Sequence, residues 1–294
     1  MDNRIVDLHV HSTESDGTFT PTEVIAEAKK AGLSAIALTD HDTATGIRKA
    51  MGAAKEAGIE LIPGIELSTA YTFPGKKQEK EIHIVGLYIN PDDPELLKMT
   101  AEFRECRDKR NEKMIAALQE EGFPITMEAL LAENTDSVIT RANIARFLYE
   151  HGWIKSVSEA FDKYIGDGRC YVGRFKVSPM EAVSLIKRTG GIAILAHPLL
   201  YHLGVEQLQL LIDDLKAVGL DGIEAIYSTY TTGEEQLVKR IAKENDLLIS
   251  GGSDFHKARN RTWASLYSIF CPDRYQSARR EVTPFHGLQK MSVL

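Results

Sequence analysis

Short apolar runs alternate with longer amphipathic stretches at both ends of this chain. Near the start, RIVDLHV, SAIALTD and IELIPGIEL have the length and composition of strands, and helical periodicity separates them. A hairpin is predicted next, with STAYTF and EIHIVGLYI joined through a Pro-Gly turn. Alternation resumes with SPMEAVSLIKRTGG and IAILAHP. The pattern predicts an α/β fold with helices outside an open or closed sheet.

A different pattern occupies the middle of the chain. It begins with a long charge-rich amphipathic helix, DPELLKMTAEFRECRDKRNEKMIAALQEEG, and continues with three shorter helical segments. We predict an all-helical insertion at 99–169 that caps the substrate, and a barrel domain formed by 1–98 and 170–294. Within the long helix, Arg107 and Arg110 are expected to lie on a solvated face.

Side chains that can bind metal ions stand at the ends of many predicted strands. The carboxyl ends of strands converge on one face of a (β/α) barrel, so this pattern favours a closed barrel over an open sheet. The candidate ligands are His9, His11, Asp16, His41, Glu66, His83, His197, Asp254 and His256.

The alternative interpretation is that each of these is a separate polar residue, since most isolated histidines bind no metal. Six of the nine histidines belong to the set, however, and a cluster of imidazoles and carboxylates without cations is costly to bury. Mixed nitrogen and oxygen ligands suit Mn²⁺, Fe²⁺ or Zn²⁺ better than Ca²⁺ or Mg²⁺. Nine ligands exceed the needs of one ion, so we expect two or three, with Mn²⁺ first.

Charge and composition narrow the possible partners. The net charge of −7 over 294 residues argues against a large basic surface for long duplex nucleic acid. No apolar run approaches membrane-spanning length, and three widely spaced cysteines indicate reduced thiols. We expect a cytoplasmic protein with no membrane partner, and its oligomeric state stays open.

The motifs DLHVHSTESDGTFTP, ALTDHDT, PGIELS, IHIVGLYI, LAHP and GGSDFH, in this order, resemble those of the polymerase and histidinol phosphatase (PHP) family. The resemblance covers the chain from Arg4 to about His256. It implies a distorted seven-stranded (β/α) barrel whose trinuclear metal centre hydrolyses phosphoesters. The helical insertion resembles the stand-alone branch, which includes 3′,5′-nucleotide bisphosphatases and enzymes that open a cyclic phosphate on phosphoribose.

The resemblance also implies how the ligands are shared among three ions. The expected sets are His9, His11, Glu66 and Asp254; Glu66, His83 and His197; and Asp16, His41 and His256. Hydroxide formed at the ions would attack phosphorus in line, with Asp254 and His256 as the catalytic residues and His256 as a candidate to assist the leaving oxygen. Asp42 is expected either to orient an imidazole or to cap the next helix.

Substrate contacts are expected outside the metal ligands. Arg141 follows Thr140, a candidate helix cap, and could bind a second phosphate near that helix start. Asn143 stands where many relatives carry a histidine, which leaves the substrate open. Arg174 and Lys176 are further candidates where the chain returns to the barrel. The alternative for these basic residues is an ordinary solvated surface.

The leading functional hypothesis is a metal-dependent phosphoesterase for a small nucleotide-like or phosphosugar metabolite, such as a 3′,5′-nucleotide bisphosphate. Alternatives are 5′→3′ exonucleolytic trimming of short RNA, histidinol phosphate hydrolysis and C–N bond hydrolysis. A non-catalytic, polymerase-associated PHP module is the non-enzymatic alternative, but all nine candidate ligands are present, which argues against it.

Overall fold

Seven strands form one sheet in which the spatial order of the strands is their order in sequence. The computed structural model describes residues 5–77, 79–134, 138–166 and 177–256. The strands are β1 (Val6–Val10), β2 (Ala35–Leu38), β3 (Glu60–Tyr71), β4 (Lys80–Leu87), β5 (Ile192–Leu195), β6 (Gly222–Tyr227) and β7 (Leu248–Gly252).

Strand β4 is the reversed strand of this sheet. It runs antiparallel to both β3 and β5, whereas the other neighbouring pairs are parallel. The β3–β4 ladder extends from Gly64 opposite Leu87 to Tyr71 opposite Lys80, which confirms the predicted hairpin. The sheet is therefore mixed, and the hairpin brings the middle of β3 beside β4.

The first and last strands approach each other and nearly close the sheet into a barrel. Val10 and Phe255 form a parallel bridge, and the His11 amide donates a hydrogen bond of 2.9 Å to the Phe255 carbonyl. Buried isoleucines, leucines and valines of strands β1 to β6 fill the interior and the layer beneath the helices, and Leu248 and Ile249 of β7 pack against them partly buried. The predicted distorted seven-stranded (β/α) barrel is confirmed.

Helices cover the outside of the barrel, and three of them begin with a side-chain cap. They are α1 (Pro21–Lys30), α2 (Thr45–Ala57), α7 (Pro179–Arg188), α8 (Val205–Ala217) and α9 (Thr232–Glu244). Thr20, Ser178 and Thr231 each accept a hydrogen bond from the backbone of a glutamate three residues later, whose side chain bonds back. Among the helices of the described residues, none is apolar over a length that could cross a membrane.

The helical segment between β4 and α7 has an apolar core of its own. It contains α3 (Pro94–Glu120), α4 (Met127–Glu133), α5 (Arg141–Glu150), α6 (Val157–Ala160) and a π-helical turn at Phe161–Ile165. Helix α3 joins the two cores, because Phe103 packs in the barrel core and Met114 in that of the insertion. The division at 98/99 and 169/170 stays a prediction.

Candidate metal centre

The nine candidate ligands come from six of the seven strands and the loops that follow them. His9 lies in β1, Glu66 in β3 and His83 in β4. His11 and Asp16 follow β1, and His41 follows β2. His197 follows β5, and Asp254 and His256 follow β7. Because these ends meet at one mouth of the barrel, residues up to 247 positions apart in sequence are brought together.

Glu66 is the centre of this cluster. One carboxylate oxygen, Oε2, lies 3.4 Å from His9 Nε2, 3.3 Å from His11 Nε2 and 2.9 Å from His41 Nδ1. The other, Oε1, lies 2.8 Å from His83 Nδ1 and 3.0 Å from His197 Nε2. The glutamate is fully buried, so a single carboxylate is surrounded by five imidazoles inside the protein.

Three groups of described residues have donor atoms close enough to share an ion. Within each group, all the donor atoms lie within 4.8 Å of one another. The groups are His9, His11, Glu66 and Asp254; His11, Asp16, His41 and His256; and His41, Glu66 and His83. The first group matches the set expected for one ion. His11 belongs to both the first and the second group, and His41 belongs to both the second and the third. How the ligands divide among the ions stays a prediction, including the role of His197.

Orphaned polar atoms indicate that cations fit at this cluster. His9 Nε2, His11 Nε2, His41 Nδ1, Glu66 Oε2 and His197 Nδ1 are buried, and despite the short distances between some of them none makes a hydrogen bond of normal geometry. Buried polar atoms without partners are rare, because they lose hydration without compensation. Imidazole nitrogens and carboxylate oxygens form the donor set that divalent transition metals prefer. The residues present therefore fit two or three such ions.

The electrostatics of the cluster also call for positive charge. Burial alone would raise the pKa of Glu66, but His41, His83 and His9 hold that pKa well below its usual range. Burial disfavours protonated His11, yet Asp254 and Glu66 raise the pKa of this imidazole to about 10. A metal ion that binds here would have to displace the proton of an imidazole such as His11.

Buried carboxylates behind the ligands orient them, and sequence analysis did not single these residues out. Glu224 of β6 lies 3.2 Å from His9 Nδ1 and accepts a 2.8 Å hydrogen bond from the His197 amide. An acceptor on Nδ1 fixes the tautomer that leaves Nε2 available to a metal. The one signal in the sequence is an acidic residue inside the apolar strand GIEAIY.

The loop carrying Asp16 is held in the same way. Asp40 accepts hydrogen bonds from the Ser12 amide and hydroxyl and from the Ser15 hydroxyl, all at 2.7 Å. Asp254 in turn accepts a 2.7 Å hydrogen bond from the Tyr227 hydroxyl. These contacts fix both ligand carboxylates from behind.

The predictions for Asp42, Arg107 and Arg110 are wrong in part. Helix α2 begins after Ala44 without a side-chain cap, so Asp42 caps no helix. Asp42 instead accepts hydrogen bonds from Arg107 and from the Ser68 amide. Arg107 and Arg110 are each only 2% exposed rather than solvated, and Arg107 is buried against Asp42 and Ser68 of the barrel.

The first residues of helix α5 contact the candidate metal ligands. Thr140 caps the helix, as predicted, and its hydroxyl lies 3.0 Å from Asp16 Oδ2. Arg141 Nη2 donates a 2.8 Å hydrogen bond to Glu81, whose other oxygen lies 3.0 Å from His83 Nε2. Arg141 therefore lies next to the candidate centre and is linked to the candidate ligand His83 through Glu81.

Asn143 has a structural role in this arrangement. Its side-chain oxygen accepts from the Thr140 amide at 2.8 Å, which completes a capping box, and its nitrogen donates to Asn134. Contact of Asn143 with a substrate stays a prediction. Arg174 and Lys176 lie outside the described residues, as does the region after His256.

Comparison of this sequence with known protein families identifies a match. A family model described as the PHP domain matches residues 7–164, more than half of the chain. The chain belongs to the PHP domain family. The metal-dependent phosphoesterase class expected from the sequence is confirmed at the level of this family.

Relatives of this PHP chain cover nearly its whole length. It is 40% identical to a 5′-3′ exoribonuclease from Haemophilus influenzae over 85% of this chain and 89% of the relative. It is 35% identical to a 3′,5′-nucleoside bisphosphate phosphatase from Chromobacterium violaceum over 85% of this chain and 87% of that relative. A solved structure from Bifidobacterium adolescentis is assigned as a metal-dependent phosphoesterase. It superposes with a TM-score of 0.81 at 28% identity, over 96% of this chain and 98% of that protein.

Proposed function

We propose that this protein hydrolyses a phosphate ester of a small nucleotide with two or three divalent ions held by the nine candidate ligands. The observation that carries the proposal is the buried Glu66 carboxylate among five imidazoles, with orphaned nitrogens directed at it. Such a donor set suits Mn²⁺ first, with Fe²⁺ or Zn²⁺ as alternatives. Bound there, the ions would supply Lewis acidity, which activates water and neutralises phosphate charge.

Asp254 and His256 would have different roles in the reaction. Asp254, held by the Tyr227 hydroxyl, would keep its carboxylate aimed at the imidazoles of His9 and His11, 3.4 and 3.1 Å away. His256 is the most exposed of the nine ligands, with 27% of its side chain accessible. It therefore faces the solvent from which a substrate would arrive and could hold a proton for the leaving oxygen.

The nucleotide character of the substrate is supported by two relatives. One is named for a nucleoside bisphosphate and the other for RNA cleaved from its 5′ end. Both substrates combine a phosphate ester with a ribose and a base. Trimming of short 5′-phosphorylated RNA is the second candidate, favoured by the 40% identity to an exoribonuclease. The net charge of −7 favours short over long polymers.

The position of Arg141 supports a role in substrate binding. Its guanidinium pairs with Glu81 beside His83, and 20% of its side chain is exposed. An incoming phosphate dianion would compete with Glu81 for this guanidinium. Arg174 and Lys176 remain further candidates, and a cytoplasmic location remains part of the proposal.

Metal removal combined with a substrate panel tests this function. Protein treated with a chelator and dialysed should lose phosphate release, and Mn²⁺ should restore it. The panel contains AMP, adenosine 3′,5′-bisphosphate, a cyclic phosphoribose, histidinol phosphate and a short 5′-phosphorylated RNA. Full activity after chelation, or a preference for histidinol phosphate, would refute the proposal.

A matched pair of variants separates the metal centre from the rest of the protein. Asp254→Ala should lose bound metal and nearly all turnover together, because it removes a ligand from the first group. Asp213→Ala removes an exposed carboxylate of α8 and should retain both.

A further inference from the structure

A cavity of about 420 Å³ lies beside the metal centre, between the barrel and the insertion. Its first wall is the loop 13–18, which carries the ligand Asp16. The second is a single face of α5, and the third is the end of α4 at Glu133 and Asn134. The α5 residues are Asn143, Arg146, Phe147 and Glu150, which recur at helical spacing. Its volume falls within the roughly 300–1,000 Å³ typical of small-molecule sites.

The cavity adjoins the open side of the metal centre. Ser15 and Gly17 line it, while the carboxylate of Asp16 between them belongs to the ligand cluster. Thr18, on the rim, donates a 2.7 Å hydrogen bond from its amide to the carbonyl of His256, the most exposed ligand. A molecule whose phosphate reaches the ligands from this side would extend across Thr18 into the cavity.

The charges of the walls argue against a second phosphate there. Glu133, which lies 3.4 Å from His151 Nε2, and Glu150 contribute two carboxylates, against the one guanidinium of Arg146. That guanidinium already donates a 2.5 Å hydrogen bond to the Asp16 carbonyl. A phosphate dianion would meet net negative charge, whereas a neutral group with N–H donors would find acceptors.

The groups that remain on the cavity walls are hydrogen-bond acceptors. The two amides are used internally, because Asn143 donates to Asn134, which donates to the Leu130 carbonyl. They therefore shape the wall, as does Phe147, which is only 3% exposed and stacks on His151 with ring centroids 4.0 Å apart. The carboxylates of Glu133 and Glu150 remain for contact. Proteins recognise single bases in part by hydrogen bonds to the base edge.

We propose that this cavity receives the nucleobase, one with an exocyclic amino group, of a nucleotide whose phosphate lies at the metal centre. The proposal rests on the proposed function and adds where the substrate's base binds. Adenine, cytosine and guanine carry the required amine, and the carboxylates of Glu133 and Glu150 accept its hydrogens.

Equilibrium dialysis with adenosine tests the cavity without depending on catalysis. Adenosine has no phosphate, so its binding to the Mn²⁺-loaded full chain reports the base site alone. Glu150→Trp should block the cavity mouth and weaken adenosine binding at least tenfold. Tyr149→Trp places the same side chain at the neighbouring exposed position, which does not line the cavity, and should bind adenosine within twofold of wild type.

A conservative variant tests the hydrogen-bonding argument. Inosine lacks the exocyclic amine, so wild type should bind adenosine at least fivefold more tightly than inosine. Glu150→Gln keeps the shape of an exposed side chain and should reduce this preference at least twofold. No adenosine binding by wild type, equal binding of inosine, or equal loss in both tryptophan variants would overturn the proposal.

Kinetics separate this inference from the proposed function. The ratio of kcat/KM for AMP to that for ribose 5-phosphate should fall at least tenfold in Glu150→Trp and stay within twofold in Tyr149→Trp. Hydrolysis of ribose 5-phosphate without adenosine binding would refute the base site and leave the phosphoesterase intact. Adenosine binding that Glu150→Trp abolishes, with no ester hydrolysed, would instead refute the proposed function.

Discussion

Arg107 of α3 and Asp42 of the loop after β2 form a buried ion pair between the insertion and the barrel. The Asp42 carboxylate also accepts a 2.8 Å hydrogen bond from the Ser68 amide, and its own amide donates to the Glu66 carbonyl. Asp42 directly follows the candidate ligand His41. The ion pair therefore ties the long helix to the backbone that holds two ligands.

Arg107→Met should destabilise the protein strongly, because it leaves the Asp42 carboxylate buried without its cation. Breaking such a pair costs about 3–5 kcal/mol of unfolding free energy, measurable by urea denaturation. Lys109→Met, on the exposed face of the same helix, should have little effect. Equal unfolding midpoints for Arg107→Met and wild type would contradict a structural role for the pair.

Glu224→Gln should weaken metal binding while leaving every candidate ligand in place. The amide has a similar shape but no longer supplies the carboxylate that faces His9 Nδ1. Loss of such a partner typically lowers metal affinity about 10- to 100-fold. Competition with a chelating dye measures the change. As a control, Glu244→Gln alters an exposed glutamate of α9; similar affinities for the two variants would show that Glu224 does not orient His9.

Gly252→Ala should damage the same corner of the site through crowding. A Cβ at this position would stand 2.3 Å from His9 Cβ and 2.9 Å from Glu224 Oε1, so β1 and β7 would have to separate. We expect a loss of about 1–3 kcal/mol in unfolding free energy, the usual cost of overpacking, together with weaker metal binding.

Gly233→Ala is the matched control for that substitution. Its Cβ would meet nothing within 4 Å in the first turn of α9, so stability should rise by up to about 1 kcal/mol. Thermal or urea denaturation compares the two. A Gly252→Ala protein as stable as Gly233→Ala would show that the strands can part without cost.

Local patterns were sufficient to predict the strands and the cap at Thr140, and to place the candidate ligands near strand ends. Short apolar runs such as RIVDLHV and SAIALTD coincide with β1 and β2. These signals lie within a few residues of what they predict. The candidate ligands lie close together because the carboxyl ends of the strands converge at one mouth of the barrel.

The errors concern residues whose environment depends on a remote partner. Arg107 lies in a charge-rich helix, and the sequence near it gives no sign of its buried ion pair with the distant Asp42. Glu224 likewise acquires its role from His9, 215 residues earlier in the chain. The division of ligands among ions depends on donor distances near 3 Å, which sequence spacing does not encode.

The bridge between Val10 and Phe255 also has a consequence for biosynthesis. His9 and His256 stand on either side of this bridge, so the pocket for the ions cannot assemble on the ribosome until almost the entire barrel has been translated. If the candidate ligands bind divalent cations as proposed, those cations would bind late, after the two edges of the sheet have come together.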